Sequence, residues 1–200
     1  MINWTYEAAL NTSADLIKVA TDSKKIFNLF SNKNVVMTSS NHISGTDRVY
    51  EAVSKIGLKD NDVIINLQGD EPFINPKDIN NLFDLAAKEE VKMATLYSEL
   101  KSPSELKDLN VVKILINNGS ALDFFRKTST KENVFIHQGI YAFKYKTLQS
   151  FVNWDPSANE KKYKLEQLRA LDNGITINAI KSISKIHLGV DTEDDLKKAN

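Results

Sequence analysis

Apolar residues along the chain recur with two spacings, one typical of buried strands and one typical of helices. Segment 63–67 reads VIINL, a nearly unbroken aliphatic run that favours a strand buried on both faces of a parallel sheet. Residues 46–56 and the stretch from Pro76 to about Lys88 instead place apolar side chains at helical intervals. Gly57 is suited to ending the first of these helices, and Pro76 to beginning the second.

The first half of the chain alternates between the two patterns. A helix begins at the first residue and ends near Asn11, and the later elements follow in the order strand 16–21, helix 23–30, strand 34–38, helix 46–56, strand 63–67 and helix 76–88. Such alternation predicts a doubly wound, mostly parallel sheet.

The second half is richer in strands. The patterns predict strands over 93–100, 111–117, 121–126, 136–144 and 175–181, one helix over 159–171 and a final helix capped by Thr192. Asn117, Asn118 and Gly119 are typical of a hairpin turn between two of these strands. With no repeat and no linker, the chain is predicted to form a single α/β domain over residues 1–200, with helices on both faces of the sheet and an antiparallel extension.

The balance of positive and negative residues bears on which partners the protein is expected to bind. Lys plus Arg and Asp plus Glu number 26 each among the 200 residues, so no bulk charge indicates a nucleic acid or a membrane as partner. There is no cysteine, which excludes disulfides, thiolate metal sites and cysteine nucleophiles. The absence of cysteine fits a cytoplasmic location best.

Two carboxylates follow short apolar segments. Asp70 comes directly after the strand 63–67, and Asp191 follows HLGV and precedes the final helix. Each has a plain structural alternative, since Gly-Asp-Glu-Pro is a common turn and Asp191 is placed to cap a helix. Two such carboxylates that converge from separate loops suit Mg²⁺, and Mg²⁺ usually accompanies a phosphate-bearing substrate.

The segment SGTDR, residues 44–48, is a candidate anion or carbonyl site. Ser44, Gly45 and Thr46 offer hydroxyl and backbone N–H groups where a helix begins. The alternative is an ordinary helix cap formed by Thr46 or Asp47.

Four further polar positions have both a structural and a functional interpretation. His137 lies within a predicted strand, where a lone histidine is usually structural. Glu166 and Gln167, with Arg169, would ordinarily form the solvated face of the helix 159–171. His42 and His187 are interpreted as loop residues.

Taken together, several short stretches resemble one enzyme family. They are Asp22 in VATD, then SGTDR, NLQGDEP, MATL, HQGIYAF, FVNWDPS, LEQLRAL and GVDTEDDL. In this order and spacing they resemble the 3-deoxy-manno-octulosonate cytidylyltransferases, or CMP-KDO synthetases, over essentially the whole chain. The resemblance implies a Rossmann-like nucleotidyltransferase fold.

The resemblance also implies a reaction, in which CTP and 3-deoxy-D-manno-octulosonate (KDO), a 3-deoxy sugar acid, give CMP-KDO and pyrophosphate for lipopolysaccharide biosynthesis. It implies Mg²⁺ as cofactor, with Asp70 and Asp191 as metal-binding and catalytic residues. The family is commonly a homodimer, with much of the contact made by the second-half strands and hairpin.

Substrate contacts are implied residue by residue. The positions that match the family's nucleotide contacts are Ser44, Gly45, Thr46, Arg48 and Gln68. The positions that match its sugar-acid contacts are His137, Glu166 and Gln167, with Arg126 a weaker match.

The sequence departs from the family pattern at three places. The family begins with a strand and a Gly-, Arg- and Lys-rich triphosphate loop upstream of the helix that opens this chain, so we expect a truncated reading frame that is active only with that segment. Residues 127–133, KTSTKEN, lack the family's apolar-Pro-Trp pattern, and Tyr163 replaces a second glutamate. A cytidylyltransferase for another acidic sugar and an inactive fragment or binding module therefore stay open as alternatives.

Overall fold

Helices and strands alternate through the first half of the protein and then give way to a strand-rich second half. The computed structural model describes residues 1–130 and 132–183. The predicted final helix lies outside these residues, and so do His187, Asp191 and Thr192. The helices are α1 (Ile2–Leu10), α2 (Lys24–Phe27), α3 (Gly45–Ser54), α4 (Pro76–Ala87), α5 (Tyr145–Asn153), α6 (Ala158–Tyr163) and α7 (Leu168–Asp172), with a 3₁₀ turn at Pro103–Leu106.

The strands form two sheets. They are β1 (Val19–Thr21), β2 (Val35–Met37), β3 (Val63–Asn66), β4 (Met93–Ser98), β5 (Lys113–Asn117), β6 (Ser120–Phe125), β7 (Val134–Lys144) and β8 (Ile177–Lys181). Strands β1 and β2 pair in parallel, and the other six follow the order β3-β7-β4-β8-β6-β5.

The larger sheet is mixed in direction. The pair β4–β8 is parallel, whereas β7 runs antiparallel to β3, β4 and β5, and β6 runs antiparallel to β5 and β8. Strands β3, β4, β5 and β8 therefore share one direction, and β7 is inserted between two of them. The prediction of a mostly parallel sheet is confirmed in the sense that most strands of this sheet run in one direction. Neighbouring strands are nevertheless mainly antiparallel to each other, because β6 and β7 run the opposite way and lie between the others.

Helices cover both faces of the larger sheet, as predicted. Met93 and Phe143 pack into one apolar cluster with helices α5 and α7, whereas their neighbours Ala94 and Ala142 pack into a second cluster with helix α4. Successive strand residues point to opposite faces, so one sheet supplies both clusters. No helix in the described part of the chain is long and apolar enough to span a membrane.

Local sequence explains most element boundaries. The Ser44 hydroxyl accepts a hydrogen bond from the backbone N–H of Asp47 and caps helix α3, while Asn75 caps α4 ahead of Pro76. The hairpin between β5 and β6 turns through Asn118 and Gly119, with φ of 48° and 74°. Positive φ at both positions matches the twist of the strands that they connect, so the predicted hairpin is confirmed.

One predicted element is wrong. Residues 159–171 do not form a single helix, because α6 ends at Tyr163, the next residue, Lys164, has a φ of 55°, and α7 begins only at Leu168. The intervening turn holds Glu166 and Gln167. The periodicity of this segment is helical on both sides of the break and does not reveal it.

Candidate active site

A row of polar side chains crosses the larger sheet on the face covered by α5 and α7. Asn66 on β3 lies opposite Tyr141 on β7, and Tyr141 lies opposite Thr95 on β4. Residues opposite each other in neighbouring strands share a face, so these three side chains point the same way. All three are buried within a cluster that is otherwise apolar. Buried polar groups in such a place need partners, and the adjoining elements supply several of them.

Helix α3 brings Thr46 onto this row. Its side chain is 1% exposed, and its hydroxyl donates a hydrogen bond to Oε2 of Glu166 at 3.0 Å. The hydroxyl oxygen of Thr46 in turn accepts a hydrogen bond from Nδ2 of Asn66 at 3.2 Å. Thr46 therefore joins three segments that are far apart in sequence, which an ordinary helix cap would not do.

Gln68 extends the network beyond the end of β3. Its Nε2 donates to Oδ1 of Asn66 at 3.3 Å. A Cβ atom at Gly45 would lie 3.1 Å from both Nε2 and Oε1 of Gln68. The amide of Gln68 therefore packs against the start of α3 at a distance that favours glycine there.

The substitution Gly45→Ala tests this close approach. The added methyl group must displace the end of the Gln68 side chain, so we expect affinity for a cytidine nucleotide to fall about fivefold, as for one weakened hydrogen bond. Stability should not fall, because alanine is the better helix former. Titration calorimetry with CTP and thermal unfolding measure the two effects. Gly139→Ala is the matched control, since a Cβ there meets nothing within 4 Å, and an equal loss in both variants would contradict the contact with Gln68.

Glu166 lies in the turn between α6 and α7 and points inward. One carboxylate oxygen accepts the Thr46 hydrogen bond, and the other, Oε1, is buried without a hydrogen-bond partner in the described part of the chain. Burial raises the pKa of this carboxyl, although the nearby hydroxyl groups of Ser44 and Thr46 act in the opposite direction. The solvated-face alternative is excluded for Glu166, and Gln167, which is 5% exposed, is excluded from it as well.

Arg169 points inward for a structural reason. Its guanidinium donates two hydrogen bonds to Glu160, at 2.8 and 2.6 Å, and lies over the ring of Phe151 at 4.6 Å. A paired, largely buried guanidinium of this kind holds α6 and α7 together. It thereby fixes the ends of the turn that bears Glu166.

His137 and Tyr141 form the aromatic side of the polar row. Nε2 of His137 lies 3.0 Å from the hydroxyl of Thr95, which donates to the carbonyl oxygen of Ile140 at 2.8 Å. The hydroxyl has one proton, so this arrangement assigns the proton of His137 to Nε2 and leaves Nδ1 as an acceptor. Burial lowers the pKa of His137 to about 3, and burial, followed by the charge of Glu166, raises that of Tyr141.

The buried, neutral state of His137 predicts an acid-sensitive fold. The unfolded chain binds a proton near the ordinary histidine pKa of 6.5, whereas the folded chain binds it only near 3. This contribution to stability is present above pH 6.5 and is lost as the pH falls from 6.5 towards 3. We expect the His137 contribution to the free energy of unfolding to fall by about 2 kcal/mol between about pH 7.5 and pH 5.

Urea unfolding of the wild type and of His137→Asn at both pH values isolates this contribution. The asparagine variant loses packing at every pH, so the informative quantity is the change with pH. A pH dependence equal to that of the wild type would contradict the assignment.

Two arginines connect loops by hydrogen bonds. Arg48 donates to the Thr38 hydroxyl at 2.9 Å and to Oδ2 of Asp22 at 3.1 Å, and so holds together the segments after β1 and β2. Arg126 donates to the backbone carbonyl oxygen of Leu109 at 2.9 Å and reaches that of Lys164 at 3.4 Å. Arg126 thus braces the turn that bears Glu166, and its predicted contact with the sugar acid stays a prediction.

Asp70 lies in the loop after β3, at the edge of the sheet where the strands that run in the same direction as β3 have their carboxyl ends. The loop is held by a backbone hydrogen bond from the N–H of Glu71 to the carbonyl oxygen of Gln68 and by the Thr5 hydroxyl, which donates to the carbonyl oxygen of Gly69 at 3.1 Å. Asp191, the other predicted ligand, is outside the described residues. Residues 1–130 and 132–183 contain no group of three or more metal-binding side chains. Asp70 still fits Mg²⁺, because this ion is commonly held by one or two carboxylates together with substrate phosphates and water.

Beside this loop, helix α4 anchors the end of β8. Asp78 is completely buried and accepts hydrogen bonds from the Ser182 hydroxyl and the Ile183 backbone N–H, both at 2.7 Å. This carboxylate fixes where the chain leaves the sheet.

Sequence reasoning assigned no role to three residues of the site, Asn66, Thr95 and Tyr141. Each lies in a stretch that the family resemblance includes, NLQGDEP, MATL or HQGIYAF. The sequence did contain a signal for Asn66 and Thr95, because an asparagine or threonine in an otherwise apolar strand is expected to be buried and to need a hydrogen-bond partner.

Comparisons with known proteins agree with one another. The family model described as cytidylyltransferase matches residues 1–179. A 3-deoxy-manno-octulosonate cytidylyltransferase of Photobacterium profundum is 37% identical, with 99% of this chain and 86% of the relative covered. Its counterpart in Haemophilus influenzae is 36% identical over the same shares.

Solved structures give the same result. A CMP:2-keto-3-deoxy-manno-octonic acid synthetase complexed with CTP superposes with a TM-score of 0.90 at 32% identity, over 99% of this chain and 85% of that one. The Francisella tularensis 2-C-methyl-D-erythritol 4-phosphate cytidylyltransferase superposes with a TM-score of 0.66 at 17% identity, over 100% of this chain and 86% of that one, and shows the fold alone.

Proposed function

Because the chain belongs to the 3-deoxy-manno-octulosonate cytidylyltransferase family, we propose that it transfers CMP from CTP to KDO and releases pyrophosphate. The observation that supports this most directly is the contact between Thr46 and Glu166. It brings the segment predicted to bind the nucleotide within 3.0 Å of the segment predicted to bind the sugar acid. An enzyme that joins these two substrates needs the two segments side by side.

The reaction requires alignment more than covalent help from the protein. A hydroxyl of the sugar acid attacks the α-phosphate of CTP, the bond to pyrophosphate breaks, and the hydroxyl proton leaves. Both reactants are anions, so holding them in line against their repulsion is the main task. No protein nucleophile is needed in this mechanism.

On the nucleotide side, the proposed contacts are Ser44, Gly45, Thr46, Arg48 and Gln68. The start of α3 offers backbone N–H groups to a carbonyl or anion, and the Gln68 amide lies directly against it. Such donors and acceptors on rigid elements suit recognition of a base edge. Arg48 supports this region by tying it to the ends of β1 and β2.

On the sugar-acid side, the proposed contacts are His137, Glu166, Gln167 and Arg126. Oε1 of Glu166, which has no hydrogen-bond partner among the described residues, can accept a hydrogen bond from a sugar hydroxyl, and Nδ1 of His137 can act as a second acceptor. A buried acceptor left without a partner is costly, and a polyol substrate would satisfy it.

The proposed ligands of the metal are Asp70 and Asp191, with Mg²⁺ as the ion. When bound, Mg²⁺ supplies charge neutralisation for the phosphate groups. In the same proposal the protein works in the cytoplasm as a homodimer and contributes to lipopolysaccharide biosynthesis.

Pyrophosphate release from CTP, KDO and Mg²⁺ tests the proposal. In the version of the protein that includes the upstream segment expected from the family resemblance, we expect release that requires both substrates and that falls strongly when UTP replaces CTP. No release with any sugar acid, together with no binding of CTP, would favour the alternative of a non-catalytic binding module.

A second candidate substrate, another acidic sugar, is favoured by residues 127–133 and by Tyr163. Tyr163 is 45% exposed at the end of α6, and Lys162 lies over its ring at 4.7 Å. It makes none of the hydrogen bonds of the polar row among the described residues. A panel of KDO, sialic acid and related sugar acids separates the two candidates by their kcat/KM values.

A further inference from the structure

Asn66 contacts two of the predicted nucleotide contacts, and one of these, Thr46, contacts Glu166 of the predicted sugar-acid group. Nδ2 of Asn66 donates to Thr46 at 3.2 Å, and its Oδ1 accepts from Gln68 at 3.3 Å. The residue is 2% exposed and closes strand β3. It therefore contacts residues of the site from within the sheet.

The hydrogen bonds form one directed chain. Gln68 donates to Asn66, Asn66 donates to Thr46, and Thr46 donates to Glu166. The hydroxyl of Thr46 has a single proton, which Glu166 accepts, so its oxygen can only accept from Asn66. The position between Gln68 and Thr46 thus needs an acceptor at one end and a donor at the other, and a carboxamide provides both.

The placement of Asn66 also differs from that of Gln68 and Glu166, the residues at the two ends of this chain of hydrogen bonds. Its backbone is paired with Tyr141 in the centre of the network, whereas Gln68 follows the end of the strand and Glu166 lies in a turn. A residue in a paired strand has a well-defined position, and side chains on loops are oriented through their partners. Asn66 therefore relates the position of Gln68 to that of Glu166.

We propose that Asn66 is a positioning residue that couples nucleotide binding to sugar-acid binding. It touches neither substrate and acts through Gln68 on one side and through Thr46 and Glu166 on the other. This inference rests on the proposed function. It adds to that function a specific residue through which the binding of one substrate affects the binding of the other.

The isosteric variant Asn66→Asp breaks one side of this connection and keeps the other. A carboxylate still accepts from Gln68, but it cannot donate to Thr46 and competes with Glu166 for the Thr46 proton. We expect the dissociation constant for KDO to rise about tenfold, with that for CTP changed less than about twofold. We also expect bound CTP to increase the affinity of the wild type for KDO, and we expect this increase to be lost in Asn66→Asp; no increase in the wild type would overturn the coupling.

Titration calorimetry with CTP, with KDO and with KDO in the presence of CTP measures these quantities. Asn32→Asp is the matched control, because it makes the same charge change at an exposed loop position. Thermal unfolding of each variant reports whether the fold is retained.

A double-mutant cycle separates positioning from a general structural role. If Asn66 acts through Glu166, then Asn66→Asp should weaken KDO binding much less in a Glu166→Gln background. Equal losses for both ligands, or additive losses in the cycle, would overturn the inference while leaving the proposed function intact. Absence of binding of both CTP and KDO by the wild type would overturn the proposed function and this inference with it.

Discussion

Asp70→Asn should reduce pyrophosphate release by about a thousandfold, because a bound metal typically supplies several kcal/mol of charge stabilisation in phosphoryl-type transfer. Asparagine keeps the size of the side chain and removes the charge that a hard cation needs. The fold should be retained, since Asp70 is only half-buried in a loop after β3. Steady-state kinetics over a range of Mg²⁺ concentrations, with circular dichroism of the same samples, give both results.

The second proposed ligand provides the comparison for this experiment. Asp191→Asn should cause a loss of similar size, whereas Asp84→Asn, an exposed position on α4, should leave turnover unchanged. Full activity in both the Asp70 and the Asp191 variants would contradict the metal assignment.

Glu166→Gln should have opposite effects on binding and on stability. We expect the KM for KDO to rise about thirtyfold, since hydrogen bonds to charged groups are the stronger ones. At neutral pH the protein should become more stable by about 1 kcal/mol, or roughly 3 °C in Tm for a chain of this size, because a poorly satisfied buried charge is removed.

The pH dependence of this gain follows from the pKa of Glu166. Burial raises that pKa, so the folded protein holds the proton more tightly than the unfolded chain. The stability that this group contributes is present below its ordinary pKa of 4.5 and is lost as the pH rises through the folded value. The advantage of Glu166→Gln should therefore be larger at neutral pH than in acid.

Thermal unfolding at several pH values measures this difference, with Glu89→Gln, an exposed position, as the control. A variant that binds KDO as well as the wild type does, or that is less stable at neutral pH, would contradict the role given to Glu166.

The sequence predicted most helices and strands of this fold correctly, because the signals that specify them act between residues close together in the sequence. Hydrophobic periodicity, helix caps and turn residues act over a few positions, so α3, α4, β3 and the hairpin at Asn118 and Gly119 could be located before the structure was known. The short stretches that resemble the cytidylyltransferases likewise identified the family, and the comparisons confirmed it.

Two features of the fold required the structure. The helix predicted over 159–171 is interrupted at Lys164, because Arg169 pairs with Glu160 and Leu165 is buried in the core. The insertion of β7 between β3 and β4 depends on pairing between distant segments, which no local pattern specifies.

For the site as well, the sequence indicated which residues take part, whereas the structure was needed to show which of them contact each other. The sequence alone determined the α/β class, the family and the candidate residues Thr46, Gln68 and Glu166, since each belongs to a recognisable stretch. The folded structure was needed to show that Thr46 contacts Glu166, 120 residues away in the sequence, and that Asn66 contacts Thr46, 20 residues away, and also Gln68. The physical reason is burial: a polar side chain removed from water must find a partner within hydrogen-bond distance, and packing of the whole chain determines which partner is near.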